Sequence, residues 1–462
     1  MTEIIALVAL QSLEALGHEL LLFAAVWFAV GAVDELLVDA IWLWLRLTGQ
    51  GSATKLDVAP ESPLSGVAAV FVPAWQEAAV VGAMVQHCLA VWPQRDLRIY
   101  VGCYRNDPAT LAALVTAAPG DPRLRIVVHD CDGPTTKADC LNRLHAALCQ
   151  DELRGGFVAR SVILHDAEDM VHPAALVVLD RGLDYADFIQ LPVRPEPQGS
   201  SRWVAGHYLD EFAESHGKGL VVRDWLGAAI PAAGVGCAFS RRAIRVLARH
   251  RNSAHPFSAE CLTEDYECGL LVAEAGGRGR FLRVRDCNGL LVATREFFPG
   301  TLATSVRQKT RWLHGIAFQG WDRLGWRGGG RELWMRLRDR RSPFTAIVLA
   351  AGLLLLAVWP MLLLAELAGF HKPETLSPFV KGVLAFNGLN LVWRLAFRFA
   401  MTAREYGWRE GLLAVPRAMI ANVIAVMAGR RAIAAYWRSL CGEAVQWDKT
   451  DHAVHPISAG VS

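Results

Sequence analysis

The 462-residue chain has almost no net charge: 47 Lys and Arg stand against 45 Asp and Glu, a balance of +2. It therefore lacks the global basic field that draws proteins to nucleic acid, and no nucleic-acid partner is expected. Ten cysteines are present, yet no two are spaced Cys-x-x-Cys. Neither a zinc ribbon nor a disulfide frame is implied, and the cysteines read as small buried hydrophobes in a reducing compartment. The sequence also lacks internal repeats, low-complexity tracts and a basic n-region. Glu3, Glu14 and Glu19 occupy the start instead, so a cleaved signal peptide is not expected from this pattern. Collagen-like and disordered classes are excluded by composition.

What the chain has is apolar residues, 53% of the total, with a mean hydropathy of +0.25 and only 20% charged residues. That is high for a soluble protein and low for one made of membrane helices throughout. The apolar runs are unevenly placed. Leu20–Val33 is unbroken and Leu36–Leu47 continues it, long enough to cross a bilayer core of about 20 residues. Asp34, Glu35 and Asp39 lie in its middle, and charges there usually face protein or water. One N-terminal anchor with an interfacial continuation is expected; a buried pair of core helices is the alternative. Phe344–Phe370 carries only Glu366 and reads as a span. Phe379–Met401 is a weaker one, and Leu412–Ala428, with Pro416 and Arg417, reads as an interfacial helix. Arg336, Arg338, Arg340 and Arg341 read as a positive-inside flank, which places the middle of the chain in the cytoplasm.

Between the anchors, strand-like and helix-like runs alternate. Val67–Val72, Leu97–Gly102, Leu124–Val128 and Ser161–Leu164 are apolar and β-branched, and helical patterns at 78–91, 109–118 and 136–148 separate them. Such alternation predicts an α/β domain with a mostly parallel sheet. Ligands then bind beyond the carboxyl ends of the strands. The loops starting at Pro73, Cys103, His129 and His165 should share that rim. Asp166, Glu168 and Asp169 crowd one of these loops. They need a cation, protonation or bulk water, and hard oxygen ligands suit Mg²⁺ or Mn²⁺; a solvated acidic turn is the plainer alternative. Thr263 fits a helix N-cap, with Glu264 and Asp265 complementing the dipole. Arg311 beside Trp312 suits a sugar and a phosphate, or an interfacial helix with aromatic anchors.

The order Asp107, Asp166-x-Glu168, Thr263-Glu264-Asp265 and Gln308-x-x-Arg311-Trp312 resembles the processive membrane glycosyltransferases of family 2, which include cellulose, chitin and hyaluronan synthases. The longer stretches FVPAWQEAAVV, GPTTKADCLN, HDAEDMVHP, GVGCAFSRRA, TEDYECGLLVAEAG and RQKTRWLHGIAFQGW are similar to the bacteriophage adsorption protein B type, as is Trp447–His452. The resemblance implies a GT-A fold and a nucleotide-sugar donor. By it, Pro73, Glu77 and Asp107 line the nucleotide pocket with Lys137 and Asp139 nearby, and Asp166 and Glu168 take the role of a metal-binding DxD motif. Glutamate at the second position makes that ligand one methylene longer. Asp265 would be the base that deprotonates the acceptor, and Gln308, Arg311 and Trp312 would hold the acceptor end and the diphosphate. The adsorption-protein type also carries a C-terminal extension with a cyclic-dinucleotide-binding domain, so control by such a ligand in cis is not expected within these 462 residues.

The expected organisation is an anchor at 1–50, a cytoplasmic GT-A domain at 51–330, transmembrane and interfacial helices at 331–440, and a tail at 441–462. The expected activity is an inverting, metal-dependent transfer from a UDP-hexose or UDP-N-acetylhexosamine to a growing surface or exported glycan at the bacterial inner membrane. Expected partners are the donor, a glycan or lipid-linked acceptor, export or outer-membrane proteins, or further copies of the chain. Two rival readings are a single-sugar transferase acting on a lipid-phosphate carrier and a catalytically degenerate assembly protein. Product length separates the first, and absence of UDP release the second.

Overall fold

The computed structural model describes residues 2–51, 53–369, 375–443 and 454–460. Trp447–His452 lies outside them. The strands are β1 Thr54–Lys55, β2 Ala68–Pro73, β3 Leu97–Tyr104, β4 Leu124–His129, β5 Ser161–Leu164, β6 Phe188–Gln190, β7 Val193–Pro195, β8 Cys237–Ser240, β9 Gly279–Phe281, β10 Val284–Arg285 and β11 Thr294–Glu296. Seven of them form one sheet in the order β4-β3-β2-β5-β8-β6-β9. Only β8 runs against its neighbours β5 and β6; the other pairings are parallel. β1 pairs with β10 and β7 with β11, both parallel.

The helices of this domain are α2 Val81–Val91, α3 Pro108–Ala117, α4 Lys137–Gly155, α5 Ala175–Gly182, α6 Gly206–Glu214, α7 Leu220–Trp225, α8 Arg241–His250, α9 Glu264–Glu274, α10 Leu302–Leu313, α11 Gly320–Leu324 and α12 Gly330–Arg340, preceded by α1 Thr2–Leu47. Alternate residues of each central strand feed two cores. Val70, Val72, Ile99 and Ile163 pack beneath α2, α3 and α5, whereas Phe71, Tyr100, Val162 and Phe239 pack against α4, α8 and α9. That is the pattern of a sheet covered on both faces. The four expected strands are β2 to β5, each within a residue or two of its predicted ends. Three-residue strands such as β6 and β9 carry too little periodicity to be read in advance.

Among the described residues three helices are long and apolar enough to cross a membrane: Leu10–Leu47 within α1, α13 (Ser342–Leu367) and α15 (Trp408–Leu440). Here the structure differs from expectation. The interfacial candidate lies within α15, while α14 (Pro378–Tyr406), read as the weaker span, falls short in composition. Arg417, the charge that argued against α15, is turned inward. It is 1% exposed, donates to Asp210 at 3.0 Å, and also reaches Glu410 and the Gly206 carbonyl.

The arginine run before α13 is also put to a different use than a solvated flank. Arg338 and Arg341 clamp Asp34 and Glu35 of α1, with Nη2 to Glu35 Oε1 at 2.7 and 2.5 Å. Arg336 is buried against Glu274 and Glu332, and Arg340 donates to the carbonyls of Gly320 and Gly325. Asp39, the third acid of α1, meets Lys218 Nζ at 2.5 Å and the Trp393 indole at 2.9 Å. The acids that looked misplaced in an apolar helix face protein, each paired.

Candidate active site

β2, β3 and β5 run in the same direction, so their carboxyl ends meet on one edge. A cavity of about 600 Å³ lies over that edge and extends to the foot of α13, where Arg338, Asp339 and Ser342 line it. Its walls bring together Pro73, Glu77, Lys137, Asp166, Glu168 and Asp265. Gln308, Arg311 and Trp312 complete the wall from α10.

Asp107 and Asp139 do not line the cavity; each caps a helix. The Asp107 carboxylate accepts from Thr110 N at the start of α3 and from Gln76 N at 2.6 Å. Gln76 has a φ of 54°, a left-handed conformation that a non-glycine residue adopts only when held. Asp107 therefore shapes the loop carrying Glu77 and leaves the pocket to others. Asp139 closes a capping box with Thr136 and so fixes the first turn of α4, which begins with Lys137. Thr263 occupies the N-cap position of α9, but its hydroxyl makes no capping bond. That differs from the expected cap.

The acidic loop is built around a residue that points away from the cavity. Asp169, fully buried, accepts from the Asp166 backbone N–H at 3.0 Å and pairs with His165 Nδ1 at 2.6 Å. This leaves Asp166 and Glu168 on the wall, and Lys137 Nζ sits 2.6 Å from Asp166 Oδ1. Glu296 of β11 joins them, although nothing in its sequence context singled it out. Burial, and then the nearby carboxylates of Asp169, Glu168 and Asp166, hold Glu296 well above the ordinary carboxylate range. Among the described residues no three His, Cys, Asp or Glu side chains converge into a ready-made metal cage. Mg²⁺ and Mn²⁺ rarely need one, since one or two carboxylates and a substrate's phosphates commonly hold them. A rim of hard oxygen donors whose charge exceeds its local compensation fits such an ion.

Across the cavity, α9 presents Glu264 and Asp265 at its N-terminus. Burial, with a smaller push from Asp166, holds the Asp265 carboxyl above the ordinary carboxylate range, and Lys137, the Tyr266 N–H at 2.7 Å and Arg311 offset part of that rise. Burial, and then repulsion from Asp265, pushes Glu264 up to about 8. Two adjacent carboxylates with different surroundings share the positive end of one helix. The backbone of Gly234 lies close against Asp265. A methyl group there would lie 2.3 Å from Asp265 Oδ2 and 3.2 Å from Lys137 Nζ, and the φ of +79° suits glycine. Gln190, fully buried, holds this loop by accepting from Ala233 N and donating to the carbonyls of Leu191 and Val235. Trp312 is set in an aromatic nest of Tyr208, Phe212 and Phe298, with ring centroids 6.2 to 6.4 Å away. Glu296, Gly234 and Gln190 carry no motif of their own. Only the GVG triplet hinted at them, since two glycines in three residues mark backbone close to something else.

Comparison with known proteins agrees with this geometry. The family described as "Glycosyltransferase like family 2" matches residues 66–315, more than half of the chain. Bacteriophage adsorption protein B of Escherichia coli (strain K12) is 32% identical over 93% of this chain, as is bacteriophage N4 adsorption protein B of Escherichia coli O157:H7. The chain spans 61% of the length of each. Among solved structures, a mannosyltransferase from Pyrobaculum calidifontis in complex with GDP-Man and Mn²⁺ superposes with a TM-score of 0.53. It covers 91% of this chain and 99% of its own at 16% identity, a likeness of fold alone. With a GT-A domain carrying these acids over its strand ends and the family match running through most of that domain, the chain belongs to glycosyltransferase family 2.

Proposed function

We propose that the chain is an inverting, metal-dependent glycosyltransferase that moves a sugar from a nucleotide-sugar donor onto a growing surface or exported glycan. The observation that carries this reading is one cavity holding the acidic rim, the Asp265 carboxylate and the Gln308–Trp312 face, with its far end at the foot of a candidate membrane helix.

In this reading Pro73 and Glu77 bound the nucleotide, and Lys137 and Arg311 face the diphosphate, where cations stabilise the charge that develops as it leaves. Asp166 and Glu168, with Glu296 beside them, would hold Mg²⁺ or Mn²⁺. When bound, that ion supplies further charge neutralisation at the diphosphate. Asp265 accepts the proton of the acceptor hydroxyl, whose oxygen attacks the anomeric carbon as the bond to the diphosphate breaks. One base and one cationic clamp suffice for a single displacement. Lys137, the Tyr266 N–H and Arg311 favour the ionised carboxylate this step needs. Trp312, fixed by its aromatic neighbours, offers a flat apolar face to an acceptor sugar.

The donor in this proposal is a UDP-hexose or UDP-N-acetylhexosamine. In this proposal the catalytic domain faces the cytoplasm at a bacterial inner membrane, on the side of the arginines that precede α13; the three candidate spans among the described residues support the membrane association. The test is a panel of nucleotide sugars offered to membranes containing the full chain, scored for nucleoside diphosphate release with and without divalent ion. Release that persists unchanged in Asp265→Asn would overturn the role given to that carboxylate.

A further inference from the structure

The segment 454–460 returns from the membrane helices to the back of the acidic loop, where His455 is fully buried. Both of its ring nitrogens are assigned. Ile457 N–H donates to Nδ1 at 3.2 Å, so the hydrogen sits on Nε2, which donates to the Asp169 carbonyl at 3.1 Å. That bond is one of four in a row. The Met170 carbonyl accepts from Arg295 N at 3.0 Å, Val171 from His87 Nε2 at 2.8 Å, and His172 from the Trp92 indole at 3.1 Å. Four consecutive carbonyls are thus held from three parts of the chain: α2 and its C-cap, β11, and the C-terminal segment. Three of the clamps lie within the GT-A domain, and the fourth comes from beyond α15.

The fourth clamp acts on the residue that shapes the rim. Asp169 orders the loop through its own carboxylate, which accepts from Asp166 N–H and pairs with His165. Movement of its backbone moves that carboxylate, and with it Asp166 and Glu168. We propose that His455 is a positioning residue for the divalent-ion site: the C-terminal segment fixes Asp169, and Asp169 fixes the two carboxylates that hold the ion. The inference rests on the metal role proposed above for Asp166 and Glu168. Partners one shell out from a ligand typically govern metal affinity by about 10- to 100-fold. The segment 454–460 then acts on the ion site from outside, since none of its described residues lines the cavity.

The experiment uses the full chain in detergent and measures Mn²⁺ binding directly by electron paramagnetic resonance, alongside nucleoside diphosphate release as a function of Mn²⁺. His455→Ala should weaken Mn²⁺ binding by about 10- to 100-fold, raise the Mn²⁺ needed for half-maximal release in parallel, and leave the rate at saturating Mn²⁺ near wild type. His455→Gln, whose amide can still donate to the Asp169 carbonyl, should recover most of that affinity. Equal Mn²⁺ affinity in wild type and His455→Ala would overturn the inference while leaving the metal site intact. Equal losses in the Ala and Gln variants would also overturn it, because a bulk packing role would not distinguish a retained donor. If wild type binds no Mn²⁺, or Asp166→Asn binds it as well as wild type, the metal reading fails and this inference fails with it.

Discussion

Replacing Gly234 by alanine adds one methyl group at a place where its consequences can be worked out. The new carbon would stand 2.3 Å from Asp265 Oδ2, whereas ordinary contact begins near 3.4 Å, so the carboxylate must retreat by roughly 1 Å. The neighbouring Lys137 Nζ, at 3.2 Å from the same point, leaves little room on that side. A displacement of about 1 Å at a reacting group costs on the order of 100-fold in rate. The left-handed backbone adds a separate penalty of about 1–2 kcal/mol, which falls on stability. Gly234→Ala should therefore lose about 100-fold in turnover while its thermal unfolding in detergent shifts by only a few degrees. Gly82→Ala is the control, since its nearest neighbour is 3.6 Å away and its helix tolerates alanine; rate and stability should stay close to wild type. The double variant Gly234→Ala/Asp265→Asn should be no slower than Asp265→Asn alone, because both changes act on one proton transfer. The assay is nucleoside diphosphate release with whichever donor the panel identifies. A Gly234→Ala enzyme within threefold of wild type would refute the placement of Asp265 as the base.

Removal of divalent ions by a chelator should abolish release, and added Mn²⁺ should restore it; activity in excess chelator would exclude the metal role. Burial, and then Arg241, hold the His145 imidazole down at about 4, and Arg241 donates to its Nε2 at 2.9 Å. The folded state keeps it neutral where the unfolded chain takes up a proton below about 6.5, so stability is lost as pH falls from about 6.5 to about 4. The loss should be about 2 kcal/mol after allowance for partial exposure. His145→Gln should flatten that part of the stability–pH curve, and an unchanged slope would count against the assignment. Arg417→Met leaves the buried Asp210 without its paired cation and Glu410 with Arg202 alone, and should destabilise by about 3–5 kcal/mol, read as a lower unfolding temperature in detergent. Adding Asp210→Asn should recover part of it.

The sheet was legible because β-branched runs ending at Pro73 or Gly102 have few other outcomes. The cavity residues Asp166, Glu168 and Asp265 were legible because they sit just past strand ends or at a helix start, where carboxylates meet either a ligand or a solvent edge. Asp107 and Asp139, which the resemblance put at or near the nucleotide, are found capping α3 and α4. A short carboxylate at a helix N-terminus satisfies backbone N–H groups as readily as it binds substrate, and sequence alone does not separate the two. The pairing of the arginines at 336–341 was not legible for another reason. Arg338 and Arg341 find their counterions, Asp34 and Glu35, some 300 residues earlier, where a local count of charges cannot see them. Glu296 and Gly234 owe their positions to long-range pairing, β11 with β7 in one case and the Gln190 clamp in the other.

The ion pairs between α1 and the arginines of α12–α13 bear on how this protein can be cut. Arg338 lines the reaction cavity and is held by acids of the first helix. Trimming that helix to obtain a soluble catalytic fragment would strand Arg338 and Arg341 without Asp34 and Glu35, leave Lys218 with Glu214 alone, and let the cavity floor shift. The N-terminal helix is thus part of the reaction vessel, and a fragment lacking it would be a different enzyme from the one in the membrane.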